Sequence, residues 1–468
     1  MFNHIKDSAV KKCLDLKSTL TPNRIDLLDL MIEIGKPLSA YEIKEYVNID
    51  NNNLKYNFYS NDLIEKHLYP MKKKLNDVKS EIDKYQIGLS KKEIYEKYAV
   101  KDYRLHTLLK LKIIDDDFKT KIKNEIMYNK LSSVIYLLNI KHEVFKNYQI
   151  KNVTVAMLKM LEMLYQENLV NINNGKFVHF GNAEMPGNFI SATNYFIKSN
   201  SIDVEYEWYG NSLLPDIEYD STVGLCDRYS YFKNYRSKWL MNDKMNGDIT
   251  LKNNIEYIES FFKDNKCNLY TADGGVELDV TEFNKQEEVV TKLKTAEILC
   301  GLLTLKINGS MVIKIYTFFE KITIDLMYLL KTMFKTVKIV KPITSKQANS
   351  ECYLICINYT SSITPEVKLL LMDIITNYNE KFSIIPDYTE KNITHIANIS
   401  NNIFMSQYNF VKRNIYYFEK YMLNINFNSH NDIIDNVYKR HIASKIKHYY
   451  ETYVNNYNLK SIEFSLYL

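Results

Sequence analysis

Six short apolar runs occupy the middle of the chain: KFVHFGN (176–182), DVEYEWYG (203–210), CNLYTADGG (267–275), SMVIKIY (310–316), TVKIVKP (336–342) and ECYLICINY (351–359). Each is bounded by Gly, Asn or Pro and separated from the next by residues with helical spacing, the pattern of strands alternating with helices. Runs that are apolar throughout must be buried on both faces, so they call for a mostly parallel sheet with helices on either side. This predicts a doubly wound α/β domain over 149–377. Before it, RIDLLDLMIEI, NDLIEKHLYPMKKKL and YRLHTLLKLKIID carry apolar residues at three- and four-residue steps, which predicts a helical N-terminal domain over 1–148. After it, helical periodicity returns over 378–468.

A chain of 468 residues exceeds what one core supports, which agrees with a central domain bearing additions. With 46% apolar and 25% charged residues the composition is globular. The net charge of +5 is a small excess of 61 basic over 56 acidic residues, so any nucleic-acid surface must come from local clustering. The six cysteines (Cys13, Cys226, Cys267, Cys300, Cys352, Cys356) form no C-x-x-C pair, so neither a disulfide framework nor a metal site is expected. Cys352 and Cys356 share one face of a strand and read as packing residues. No apolar run reaches the ~20 residues that span a bilayer, and the N-terminus mixes charges with short apolar steps. A soluble, unexported, cytoplasmic protein without membrane contact is therefore expected.

Four segments hold residues that packing alone does not explain. In KFVHFGNAEMPGNFISATNYFI a strand runs into a turn from Gly181 to Gly187 that opens a helix, and glycines there let backbone approach a ligand at a strand's carboxyl end. NLYTADGGVEL delivers Asp273 followed by Gly274 and Gly275 at another strand end. In GSMVIKIYTFF, Lys314 interrupts an apolar strand, and a buried lysine is costly unless paired. In KPITSKQANSECYLICINY, Glu351 opens the last strand behind the polar loop of Ser345, Lys346 and Asn349, and Lys314 is its natural partner.

In their order and context these segments resemble the FtsJ-like ribose 2′-O-methyltransferases, over about half the chain. YEWYGNSLLPD and MNGDITLKNNI further resemble the messenger-RNA cap methyltransferases of eukaryotes and large DNA viruses. The resemblance implies a Rossmann-like methyltransferase fold with a mostly parallel seven-stranded sheet, S-adenosyl-L-methionine as methyl donor, and methylation of the first transcribed nucleotides of capped mRNA. The alternative is a non-catalytic RNA-binding or scaffold subunit that kept the fold. The family's tetrad of Lys, Asp, Lys and Glu falls on Lys159, Asp273, Lys314 and Glu351; Lys159 is the basic residue on the helix VTVAMLKMLEMLYQ. Donor contacts are implied from Gly181, Asn182, Glu184, Pro186, Gly187, Asn188, Phe189, Asp248 and Asp273, with Glu205 or Glu207 as partner of the donor's ribose. Two positions depart from the family: Asn188 replaces a glycine at a site where left-handed backbone is expected, and Met185 replaces a small residue.

A ribose hydroxyl is a poor nucleophile, so methyl transfer needs a base and accurate positioning. Lys314 is the candidate base, and burial together with the like charge of Lys159 is expected to lower its pKa. No metal is required. For RNA, Lys346 and Ser345 are the candidate contacts, and basic residues interleaved with aromatics in YPMKKK (Tyr69 to Lys74) and YKRHIASKIKHYY (Tyr438 to Tyr450) suit an RNA platform. The helical additions are also candidate contacts for other capping or transcription proteins, in host cytoplasm or virion for a viral source.

Overall fold

The structure is a computed structural model that describes residues 140–171, 175–214, 227–241, 245–276, 285–347, 349–377, 384, 390–422, 447–448 and 450–468. All of these belong to one compact unit. The helical N-terminal domain expected over 1–148 lies outside the described residues except for its end, as do Tyr69 to Lys74 and 438–446.

The six apolar runs are the six strands: β1 (Lys176–Asn182), β2 (Glu205–Asn211), β3 (Cys267–Ala272), β4 (Leu305–Ile315), β5 (Phe334–Val340) and β6 (Cys352–Tyr359). They form one sheet in the order β2-β1-β3-β4-β6-β5. β1 pairs in parallel with β2 and β3, and β3 with β4, while β6 runs antiparallel between β4 and β5. The mostly parallel Rossmann-like fold is as expected, with six strands among the described residues where seven were expected.

Helices cover both faces. α1 (Lys141–Tyr148), α2 (Val155–Glu167) and α3 (Asn188–Ser199) lie on one. α4 (Lys252–Phe261), α5 (Gln286–Thr304), α6 (Lys321–Met333) and α7 (Pro365–Asn377) lie on the other, with residues of α8 (Glu390–Met422) packed against them. The period of two along a strand sorts side chains between the layers. Phe177, Leu269, Val312, Tyr353 and Ile355 pack with α2 and α3. Val178, Phe180, Tyr270, Met311, Ile313, Leu354 and Cys356 pack with α4 to α7. Cys352 and Cys356 are free and buried, as expected of packing residues.

This parity positions the chemistry. Asp273 keeps the phase of Leu269, Lys314 that of Val312, and Glu351 that of Tyr353, so all three fall on the face that α2 covers. The antiparallel sense of β6 is equally necessary, because it places Glu351, which precedes the strand, at the carboxyl edge of β4; there Cys352 pairs with Ile315 and Tyr353 with Lys314. The β1→β2 and β3→β4 connections diverge from neighbouring strands, so the crevice between the carboxyl ends of β1 and β3 is a switch point of the doubly wound sheet.

The C-terminal residues brace the α2 and α3 layer. Tyr453 donates to the carbonyl of Leu158 at 2.7 Å, and Tyr195 donates to the carbonyl of Lys460 at 2.7 Å. Among the described residues no helix is long and apolar enough to cross a membrane.

Gly187 caps the start of α3 with a φ of +108°, a conformation that L side chains rarely adopt, and a Cβ there would lie 2.5 Å from the Tyr231 ring. Gly187→Ala is expected to lower stability by about 1–3 kcal/mol through backbone strain, with more from displacing Tyr231. Thermal denaturation of the variant checks this.

Candidate active site

Four charged side chains converge from four elements. Lys159, on the second turn of α2, pairs directly with Glu351. Lys314, near the end of β4, lies 3.3 Å from the carboxylate of Asp273, which follows β3. Lys159, Lys314 and Glu351 are each 12% exposed and Asp273 is 23% exposed, so the cluster is nearly buried with Asp273 at its open side. Two cations and two anions alternate, and each desolvated charge has an opposite neighbour.

The structure thus brings together all four residues of the expected tetrad, with a different pairing. Lys314 was the expected partner of Glu351; the carboxylate instead takes Lys159 and the Ser345 hydroxyl, which donates to it at 2.6 Å. Burial pushes the Glu351 carboxyl up, but the two lysines and Ser345 outweigh it and hold the pKa at about 2. The Lys314 ammonium behaves oppositely to expectation. Burial does favour its neutral form, but Asp273, Tyr316 and Glu351 exceed that effect and raise its pKa above the ordinary lysine value. Reasoning from burial and Lys159 underweighted the acids, since Asp273 and Glu351 together with Tyr316 outweigh the desolvation of one ammonium.

Tyr353 was missed in the sequence. Its buried hydroxyl donates to Asp273 at 3.0 Å, so one carboxylate is held by both a lysine and a phenol. The signal was present, since a strand that begins at Glu351 returns Tyr353 to the same face. Glu162 was also missed. It lies one turn beyond Lys159, and its buried carboxylate accepts from the N–H groups of Ile343 at 2.6 Å and Thr344 at 2.8 Å, and from the Thr344 hydroxyl. One face of α2 therefore holds both Glu351, through Lys159, and the loop leading to it, through Glu162.

The expected donor contacts line the carboxyl ends of β1 and β2. Gly181 and Asn182 close β1, and Asn211 bridges from β2 to the Asn182 side chain at 2.8 Å and the Gly247 carbonyl at 2.9 Å. Pro186 and Gly187 make the turn into α3. Glu184 is buried, and its carboxylate accepts the N–H groups of Phe189 and Ile190 at 2.7 and 2.9 Å, capping that helix. Burial raises its pKa to about 8 in spite of these bonds. Asp248 stands in the loop against the end of β2, and one of its oxygens accepts the N–H and hydroxyl of Thr250 at 2.9 and 2.7 Å.

Several expectations change. Asn188 is the first helical residue of α3 and has no left-handed backbone; its side chain accepts from Thr154 and Tyr229, both at 2.8 Å. Met185 is buried in a cluster with Trp208, Tyr231 and Trp239. Phe189 is buried in the α2 and α3 layer, so its backbone faces the turn while its ring is core. Glu205 and Glu207 lie in the amino-terminal half of β2, where Glu205 pairs in register with Lys176 and Glu207 bonds Lys238 and Tyr209. They open the strand and so sit at the wrong end of the sheet to meet a ligand at its carboxyl edge. Ser345 is fully buried on Glu351, which removes it as a surface contact for RNA. Lys346 is half-buried in the same loop at the tetrad's edge of the sheet, and burial lowers its pKa.

The buried Glu162 carboxyl has its pKa raised by desolvation to about 7, against an ordinary value of 4.5. The folded chain therefore binds this proton more tightly than the unfolded chain, so stability from Glu162 is present below about 4.5 and lost as pH rises through 7. Glu162→Gln removes that dependence. Relative to wild type the variant is expected to be most destabilised near pH 5, with the gap closing by on the order of 2–3 kcal/mol toward pH 8. Denaturation of both proteins across this range checks it, and a constant gap refutes it.

Residues 153–359 match the profile of the FtsJ-like methyltransferase family. The chain is 33% identical over 264 residues to a probable methyltransferase, EP424R, of African swine fever virus (isolate Pig/Kenya/KEN-50/1950), a match over 54% of this chain and 60% of that protein. It is 34% identical over 196 residues to cap-specific mRNA (nucleoside-2′-O-)-methyltransferase 2 of Danio rerio, covering 42% of this chain and 26% of the relative. The counterpart in Drosophila melanogaster is 28% identical over 328 residues, covering 67% and 44%. The chain thus spans 60% or less of the length of these relatives.

Proposed function

We propose that this chain, whose residues 153–359 make up an FtsJ-like methyltransferase domain, transfers a methyl group from S-adenosyl-L-methionine to a ribose 2′-hydroxyl of RNA, on the first transcribed nucleotides of capped mRNA. The observation that carries the reading is the tetrad itself: Lys159, Asp273, Lys314 and Glu351 come from four separated elements and meet as two ion pairs beside the carboxyl edge of the sheet. A scaffold subunit gains little from four nearly buried charges, since apolar residues of similar volume would fill the space at no cost in stability. The cap-specific relatives favour capped mRNA as substrate, and the viral relatives favour action in a host cytoplasm. The helical regions outside the domain are the proposed contacts for other capping or transcription proteins.

The residues present suit a cationic nucleoside donor. The switch-point crevice offers the Gly181–Gly187 turn, the acids Asp248 and Asp273, and a close approach at Gly275, where a Cβ would stand 2.9 Å from the Tyr316 hydroxyl. When bound, S-adenosyl-L-methionine supplies a methyl group already activated as a sulfonium. Asp273 faces that positive charge from the strand end, with its geometry fixed by Lys314 and Tyr353. Lys314, held in its charged form, would donate to the ribose oxygen, fix its direction of attack and stabilise the negative charge that grows there, while the hydroxyl proton passes to solvent water as the oxygen takes the methyl group. This role replaces that of a base neutral at rest. Glu351 helps to keep Lys314 charged, and Lys346 meets the RNA backbone from the neighbouring loop.

Methylation of capped and uncapped transcripts, with the modified ribose mapped, tests the reading; incorporation at a base or into protein would refute it. Lys314→Ala is expected to cut turnover by about 10³-fold or more, because an oriented donor to a developing oxyanion is worth roughly that much. Affinity for S-adenosylhomocysteine should change little. Near wild-type turnover in this variant would remove Lys314 from the reaction.

A further inference from the structure

A third lysine kept from solvent, Lys294, lies outside the tetrad. It sits on α5 one turn before Glu297, to which it is paired at 2.7 Å, with side chains 8% and 0% exposed. The pair encloses one residue. Lys294 donates to the carbonyl of Gly274 at 2.8 Å, and Glu297 accepts the Gly274 N–H at 3.1 Å. Gly274 directly follows Asp273, whose own N–H still continues the sheet by donating to the Asn182 carbonyl at 3.3 Å. Beyond Asp273 the chain leaves the ladder, and its next peptide groups would be orphaned in a buried place without this pair. The fit is close, since a Cβ on Gly274 would come within 2.1 Å of Glu297.

The same helix fastens the neighbouring strand end. Glu287, in the first turn of α5, accepts the Thr317 hydroxyl at 2.7 Å and the N–H groups of Phe319 and Glu320 at 3.0 and 2.8 Å, in the turn that follows β4. α5 therefore grips the exits of both strands whose ends carry Asp273 and Lys314, from the face of the sheet opposite the tetrad. A buried ion pair is a poor source of stability, because apolar replacements of the same volume are often neutral or better. What the pair supplies is direction: it fixes one polar group in each of the two peptides that flank the Gly274 Cα, directly after Asp273.

We propose that Lys294 and Glu297 are positioning residues for methyl transfer, holding the Asp273–Gly274 strand end so that Asp273 meets Lys314. The proposal rests on the methyltransferase reading for its catalytic consequence, and on hydrogen bonds in the chain for its structural part. The decisive variant is the apolar pair Lys294→Met, Glu297→Leu in the full-length protein. It is expected to melt below the wild-type temperature, because the N–H and C=O of Gly274 lose their partners, and as a folded protein to lose about 10²-fold in kcat, the order expected of a misplacement near 1 Å, with KM for RNA unchanged. Wild-type kcat in that folded variant overturns the proposal. Should the double variant not fold, Glu297→Gln serves: it keeps an acceptor for the Gly274 N–H but removes the charged partner of Lys294, and kcat should fall about ten-fold without a change in KM. Wild-type kcat there is likewise fatal. If the wild-type protein methylates no RNA, the functional reading fails and amide exchange decides this one. Exchange at the Gly274 amide should quicken in the double variant while Leu269 to Thr271 stay protected, and unchanged exchange at Gly274 refutes the positioning role.

Discussion

The pairing of Lys159 with Glu351 joins two parts of the chain nearly two hundred residues apart, and the site depends on it. Neither charge could be kept nearly out of water alone, because desolvating one ion costs several kcal/mol and a partner must return it. The pair therefore couples the docking of α2 to the placement of the loop before β6. Once docked, α2 brings Glu162 onto the same loop, and the C-terminal residues close over the helix through Tyr453. Lys314 and Asp273 then complete an alternating array whose members are each supported by a different element.

One device recurs around this array. Glu162, Glu184, Glu287 and Glu297 are all buried, and each spends its carboxylate on backbone N–H groups of a turn that borders the site. A turn at the carboxyl edge of a sheet has left the ladder and is not yet helical, so its donors lack partners in regular structure. Water would satisfy them but leave the turn mobile. A buried carboxylate satisfies two or three donors at once and fixes their direction. The cost is desolvation, visible in the pKa of Glu162 raised to about 7 and that of Glu184 to about 8. A chain with only 12 glycines and 8 prolines has limited means to shape turns by backbone preference, and these glutamates take over part of that work.

What was legible in the sequence follows from this division. The strands could be read because runs such as SMVIKIY are apolar throughout and end in clear breaks. Asp273, Lys314 and Glu351 could be read because a charge at the end or middle of such a run is conspicuous. The glutamate clamps could not. Glu162 in AMLKMLEMLYQ and Glu297 in TAEILC look like solvent-facing positions of amphipathic helices, and only the tertiary arrangement reveals the turns they hold. Glu205 and Glu207 misled for a different reason: they open their run, and only a residue that ends or follows it reaches the carboxyl edge. A seventh strand was expected by likeness to the family and not from any seventh run, and the described residues contain six.

The charge of Lys314 shows how far composition-level reasoning can carry an active-site argument. Burial by itself predicts a lysine shifted toward neutrality, and Lys159 would push in the same direction. The opposite outcome arises because Asp273, Tyr316 and Glu351 all lie close enough to favour the ammonium, with Glu297 adding to them from α5. A lysine so held cannot accept a proton while its surroundings stay as they are. It can donate a directed hydrogen bond in a site of low dielectric, where such a bond is strongest. In the proposed reaction the fold keeps a positive charge fixed where negative charge develops, and the hydroxyl proton passes to solvent water because the charged Lys314 cannot take it.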